Sequence, residues 1–110
     1  MDEAEKKQVR SDFTDAVNMA PAALSEWLKT EKSKSVGDAS GANESTGHKS
    51  GRRIVEIKRT AAADLTDSQY AHMKQVVGYV HRHLAQRPKG DVSETNWRYS
   101  LMNWGHDPEK

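Results

Sequence analysis

The residues best equipped for chemistry cluster in GHKSGRRIVEIKR (47–59), where five basic side chains stand against one acidic. Ile54, Ile57 and Ala61 recur at helical spacing, which predicts a helix over 51–61 with Ser50 as its N-cap. A helix start presents unpaired amide N–H groups and about half a positive charge, so it favours anions. Gly47 and Gly51, either side of Ser50, let a ligand approach the backbone closely. Arg52 and Arg53 add planar donors that match phosphate oxygens. The first turn of a helix ordinarily prefers acidic residues, so two arginines there imply an anion that offsets them. The candidate nucleic-acid or anion site is therefore Lys49, Ser50, Gly51, Arg52 and Arg53, extended by Lys58 and Arg59. The plainer reading is a surface ion-pair ladder, Arg52–Glu56–Arg59, worth a few tenths of a kcal/mol.

Other chemistries find less support. A nucleotide P-loop needs GxxxxGK[ST] after a strand. Here five residues separate Gly41 from Gly47, His48 precedes Lys49, and no strand pattern leads in. His81 and His83 point about 200° apart on a helix, and His72 lies about 16 Å from His83 along its axis, so no pair shares a metal. His106-Asp107 has no further ligands nearby in sequence. The loop serines sit on no strained elbow that would single out a nucleophile, and Glu56 has arginines within reach that keep it ionised. No catalytic residue, metal or cofactor is indicated.

The elements that position these residues are helical. TDSQYAHMKQVVGYVHRHLAQR (66–87) reads as one long helix. Tyr70, Met73, Val77, Val80 and Leu84 form one apolar stripe, and Val76 and Tyr79 a second, flanked by His72 and His83. An apolar surface wider than the ~100° of a surface helix predicts neighbours on two sides, hence a hub. Thr66 is the expected N-cap, Gln69 completes a capping box and Leu65 staples Tyr70.

Earlier in the chain, Val9, Phe13 and Val17 predict a helix over 3–18, which Pro21 ends by restricting the residue before it. Pro21 then opens a second helix to about residue 30, with Leu24, Trp27 and Leu28 inward and Ala20 a weak cap. The stretch 31–50 is rich in Gly, Ser, Lys and Asn and without periodicity, which predicts a mobile loop over 31–49. Ser93 or Thr95 caps a last helix to Asn103 whose Trp97, Leu101 and Trp104 face in, closed by Gly105 in the left-handed conformation. Ala71, Gly78 and Ala85 recur every seventh residue on the long helix and invite a close crossing, within the fold or across a dimer.

Composition bounds the rest. One small domain fits in 110 residues. Leu, Ile, Val and Phe make up about 15% of the chain, below the ~20% that often marks disorder, yet 17 basic and 16 acidic residues nearly cancel. A modest core with a long solvated segment reconciles the two. Near-zero net charge argues against a general polyanion binder and confines any such role to a local patch, to which Arg82, Arg87, Lys89 and Arg98 could add. Trp97, Tyr99 and Trp104 could stack on bases, although their helical spacing favours the core. The absence of cysteine fits a reducing cytoplasm. The charged opening MDEAEKKQVR resembles no secretory leader, and no stretch is long and apolar enough for a membrane span.

KSKSVG (32–37), GHKSGRRIVEI (47–57), HMKQVVGYVHRHLAQRPKGD (72–91) and WRYSLMNWGHDP (97–108) together resemble the domain-of-unknown-function family 3140. Its members are short bacterial and fungal proteins that often carry the label "DNA-binding protein". The resemblance covers the chain from the second predicted helix onward. Ser35, Gly37, Gly47, Ser50, Gly51, Arg52 and Arg53 match the family motif, so any family function maps to them. Two positions depart: Ala20 stands where a capping threonine is common, and Lys58 replaces an apolar residue, which strengthens the basic patch.

The expectation is thus an all-α single domain over 1–110, of about five helices with a Gly/Ser-rich loop between the second and third. Its expected role is non-enzymatic binding of DNA backbone through a basic helix N-terminus. The alternative is a protein-interaction module, as a homodimer or with another protein, that uses the Ala71/Gly78/Ala85 face or exposed tryptophans.

Overall fold

The computed structural model describes residues 1–36 and 45–110. Within them lie six α-helices and a 3-10 turn, and no strand. Helix α1 spans Glu3–Ala16, α2 Pro21–Leu28, α3 Glu31–Ser35, α4 Thr46–Lys58, α5 Asp67–Leu84 and α6 Asn96–Asn103, with the 3-10 turn at Ala62–Asp64. Five of the six start on a side-chain cap. Asp2 accepts from the Glu5 N–H at 2.8 Å, and Thr30, Ser45, Thr66 and Thr95 each cap in the same way. At α5 the capping box is complete, because Gln69 Oε1 also accepts from the Thr66 N–H at 2.9 Å. Only α2 lacks a side-chain cap: Ala20 offers none, and Pro21 at the first position removes one of the unpaired donors.

The core is filled by one stripe from each of four helices. Leu24 of α2, Ile54 of α4, Val76 of α5 and Leu101 of α6 are fully buried, with Phe13 of α1 beside them. Helix α1 packs along α5 and α2 along α4, while α6 touches α2, α3, α4 and α5. The long helix α5 packs against α1, α4 and α6, so it has the neighbours on two sides that its width of apolar surface implies, and α6, less than half as long, touches four helices. Gly105, at φ 83°, ends α6 with a bond from the His106 N–H back to the Leu101 carbonyl at 3.0 Å. The turn brings 105–107 against the end of α1, where a Cβ on Gly105 would sit 2.8 Å from Val17 Cγ1.

Two expected boundaries are corrected. Helix α1 ends at Ala16 because Asn18 leaves the helix to exchange bonds with the backbone of Asp107, at 2.8 and 3.0 Å. The segment 31–49, expected as a mobile loop, contains α3 and the opening of α4. Its remaining portion, 37–44, lies outside the described residues. Helix α3 has no apolar periodicity. Ser33, wholly buried, holds it to Asn103 of α6 through the Ser33 hydroxyl and a 3.0 Å bond from Asn103 Nδ2 to the Ser33 carbonyl.

Candidate nucleic-acid interface on helix α4

Helix α4 begins at Ser45, five residues before the expected cap. The Ser45 side chain accepts from the His48 N–H at 3.1 Å, and Ser50 lies inside the helix. Packing explains the early start. A Cβ on Gly47 would stand 3.1 Å from Trp104 Nε1, and one on Gly51 would stand 2.6 Å from both the Asn103 carbonyl oxygen and Leu28 Cδ2. Both glycines are contact points against α6 and α2, and Gly51, buried between them, opens no backbone to a ligand. Ser50 is 2% exposed and its hydroxyl lies 2.9 Å from Nε2 of His72 on α5. The amides of Ser50 and Gly51 are thus spent within α4 and do not cradle an anion. Arg52 and Arg53 stand in the second turn, past the positive end of the dipole, so their placement there no longer calls for an offsetting anion.

What remains is a face. At about 100° per residue, Lys49, Arg52, Arg53, Glu56 and Arg59 fall within about 120° of arc over about 15 Å of axis. All five are exposed. Among the described residues, no ion pair joins Glu56 to Arg52 or Arg59, so the expected ladder is not formed. Arg53 reaches Ser68 Oγ at 3.4 Å, a long contact from an exposed guanidinium.

Lys58 does not belong to that face. It lies half-buried on the opposite side and donates to the Val17 carbonyl at 3.3 Å. Burial first, then the ammonium of Lys110, holds its pKa below the ordinary lysine value. Its work is at the end of α1, whose last turn has no cation of its own. His106 Nδ1 joins it there, 2.7 Å from the Ala16 carbonyl. Arg98 is likewise withdrawn from any patch, since both oxygens of Asp107 hold it at 3.0 Å and it donates to the Ser93 carbonyl at 2.8 Å. Burial opposes ionisation of Asp107, but the bonds from Arg98 and the Glu109 N–H outweigh it and keep its pKa below the usual carboxylate value.

The aromatic residues are committed to one another. The rings of His72, Trp104, Tyr79, His83 and Trp97 stack in that order, with interplanar angles from 13° to 18° and centroid spacings from 4.2 to 6.2 Å. Trp97 Nε1 donates to the His83 carbonyl at 2.8 Å while His83 Nε2 donates to the Trp97 carbonyl at 3.0 Å. Trp97, Tyr99 and Trp104 are buried, so they offer no platform for bases. The long-helix stripe is open at Ala71 and Ala85, and Gly78 between them is covered by the Arg82 guanidinium, not crossed by a second helix.

Ser50 and His72 form the pairing of a nucleophile with a base, which sequence spacing did not reveal. Both are buried, and Nδ1 of His72 has no hydrogen-bond partner among the described residues, so no carboxylate orients the ring. Burial, then the positive charge of Arg53, pushes the His72 pKa down, with Ser50 and Gln75 pulling weakly the other way. A closed, neutral pair of this kind fixes the rotation of α4 and gives a substrate no approach. No group of three or more potential metal ligands occurs among the described residues, and no helix there is long and apolar enough to cross a membrane.

Residues 12–102 match the family described as "Protein of unknown function (DUF3140)". The chain belongs to that family. No curated protein and no solved structure matches it. The DUF3140 match spans all of α2 to α5 and most of α6, so it includes the exposed face of α4 and the glycine contacts beneath it.

Proposed function

We propose that this DUF3140 protein binds the phosphate backbone of nucleic acid, DNA in the first instance, without catalysing a reaction. The grip comes from the outward face of α4: Lys49, Arg52, Arg53 and Arg59. The single observation that carries the reading is that this exposed arc holds four cations and one carboxylate in a protein of net charge +1. Positive charge is therefore concentrated locally, which is how a nearly neutral protein attracts a polyanion. About 15 Å of duplex carries about nine phosphates, enough to engage all four side chains at once. With the aromatic faces stacked on one another, such contacts read charge and leave base identity unread. On this reading the protein works in the cytoplasm, where a cysteine-free chain is at home.

The experiment is a binding titration with duplex DNA at several salt concentrations. Three or four phosphate contacts predict an affinity loss of about a hundredfold between 50 and 200 mM salt. Arg52→Ala/Arg53→Ala should weaken binding and flatten the salt slope by about two contacts. Unchanged affinity in that double variant removes the reading. Protein docking is less favoured because Met1, 48% exposed, is the large hydrophobic side chain that the described surface leaves open.

A further inference from the structure

A cavity of about 360 Å³ opens where the first turn of α4, the middle of α5 and the end of α6 meet. Gly47, Gln75, Tyr79, Arg82, Ser100 and Trp104 are the lining residues that give it a chemical character, and among the described lining residues none is acidic. Gln75, Tyr79 and Arg82 come from one stripe of α5, and Ser100 and Trp104 from one stripe of α6. The aromatic wall is made of ring edges, because the faces of Tyr79 are taken by Trp104 at 4.2 Å and His83 at 5.3 Å. The volume lies at the small end of the range for organic-ligand sites.

Arg82 decides the class of ligand. It makes no ion pair and no hydrogen bond among the described residues. Arg82 is exposed, and its guanidinium lies back along its own helix over Gly78, where a Cβ would come within 3.0 Å of Nη1. A glycine in mid-helix is unfavourable, and here it gives the guanidinium a seat at the cavity mouth. Gly47 acts similarly on the far wall, since a Cβ there would press on Trp104 Nε1 at 3.1 Å. Two helical glycines thus keep a cation and an indole edge on the border of one space.

We propose that this cavity binds a small organic anion, a carboxylate or phosphate held by Arg82 with a compact apolar body against the edges of Tyr79 and Trp104. Gln75 and Ser100 supply further donors to the anionic group. Lys49, Arg52, Arg53 and Arg59 do not line the cavity, so the site stands apart from the nucleic-acid reading.

The test is a titration of the ¹⁵N-labelled full chain, at constant ionic strength, with benzoate, phenyl phosphate, benzamide and inorganic phosphate. Benzoate or phenyl phosphate should give saturable shifts at the Trp104 indole N–H and the Gly47 and Ser100 amides. Whichever binds tighter identifies the anionic group. Neutral benzamide should bind at least about tenfold more weakly, the size of one charge-assisted hydrogen bond. Arg82→Gln should bring benzoate and benzamide within about twofold of each other, and Gly78→Ala should weaken the anions several-fold by displacing the guanidinium. Lys74→Gln, an exposed cation of α5 paired with Glu5, should change nothing. The proposal is overturned if neither organic anion saturates at these resonances, if benzamide binds as well, or if the preference for the anion survives Arg82→Gln. It is equally overturned if inorganic phosphate binds as tightly as both organic anions, because the apolar body would then contribute nothing. Duplex DNA shifting Lys49, Arg52, Arg53 and Arg59 would be a separate result, and its absence would leave the cavity intact.

Discussion

The hydroxyl of Ser50 lies 2.9 Å from Nε2 of His72, and both side chains are buried between α4 and α5. This contact sets which way α4 is turned, and so sends Arg52 and Arg53 outward. It also makes stability depend on pH. Burial keeps the His72 pKa below the ordinary 6.5, so the folded state holds the ring neutral. An unfolded chain takes up a proton near 6.5, and the stability contributed by the neutral ring is complete above that value. It is lost as pH falls from there through the lower folded pKa. His83, also lowered by burial, adds in the same direction. Urea midpoints should therefore drop between pH 7 and pH 5, and His72→Gln should flatten the drop even where it lowers stability outright. An equal slope in wild type and variant would show that His72 is not the sensor.

Lys58 separates the basic face of α4 from the basic sequence of α4. Its ammonium sits on the Val17 carbonyl at the end of α1, so Lys58→Met should leave DNA affinity and salt slope within about twofold of wild type. In exchange it should cost about 0.5–1 kcal/mol of stability through the lost bond and dipole contact. Arg59→Ala should show the reverse, with weaker binding and little change in stability. If Lys58→Met weakened DNA binding as much as Arg59→Ala, the division of the helix into a gripping face and a structural one would fail.

Local rules carried the reading of this fold as far as local signals decide. The Thr66–Gln69 capping box, the cap of α6 and the Gly105 stop all lie within a few residues of what they control; the box and the stop form as expected, and of Ser93 and Thr95 it is Thr95 that caps α6. The start of α4 is different. Ser45 and Ser50 are both acceptable caps, and Gly47 with Gly51 reads as loop until Trp104, Leu28 and Asn103 are seen to press on them. Helix α3 is held by a residue seventy positions away, a distance no periodicity spans. Lys58 is hidden from sequence in the same way: its charge implies the surface, while the side chain is half-buried and its head group is bound to the end of α1. In sequence Gly78 belongs to a stripe of small residues that invites a helix crossing, while in the structure the guanidinium of Arg82, four residues on, takes the space.

Gly51 is the tightest of the helix contacts. A methyl group there would meet the Asn103 backbone oxygen and Leu28 Cδ2, each at 2.6 Å. The leucine can rotate, but the carbonyl belongs to α6 and moves only with it. Gly51→Ala should therefore destabilise by about 1–3 kcal/mol despite the higher helix propensity of alanine. Thermal unfolding checks this directly. A rise in midpoint, the usual result of replacing a helical glycine by alanine, would mean that α4 and α6 do not approach so closely.

Asn103 gathers three elements around one buried amide. Its Oδ1 accepts from Trp27 Nε1 of α2 at 2.8 Å and from the Ser33 hydroxyl of α3, while Nδ2 donates to the Ser33 carbonyl at 3.0 Å. Asn103→Leu, close in size, would leave an indole N–H, a hydroxyl and a carbonyl without partners in the core. Each orphaned group costs about 1–3 kcal/mol, so a loss of 3 kcal/mol or more is expected in urea denaturation. The loss should fall first on α3, since five residues cannot hold a helix without tertiary support. Amide exchange at Ser33, Lys34 and Ser35 should accelerate more than exchange in α4 or α5. Adding Ser33→Ala to Asn103→Leu should cost less than the sum of the single changes, because it removes the hydroxyl that the first change strands. Strict additivity, with exchange rising evenly across the helices, would show that Asn103 fills space without organising its neighbours.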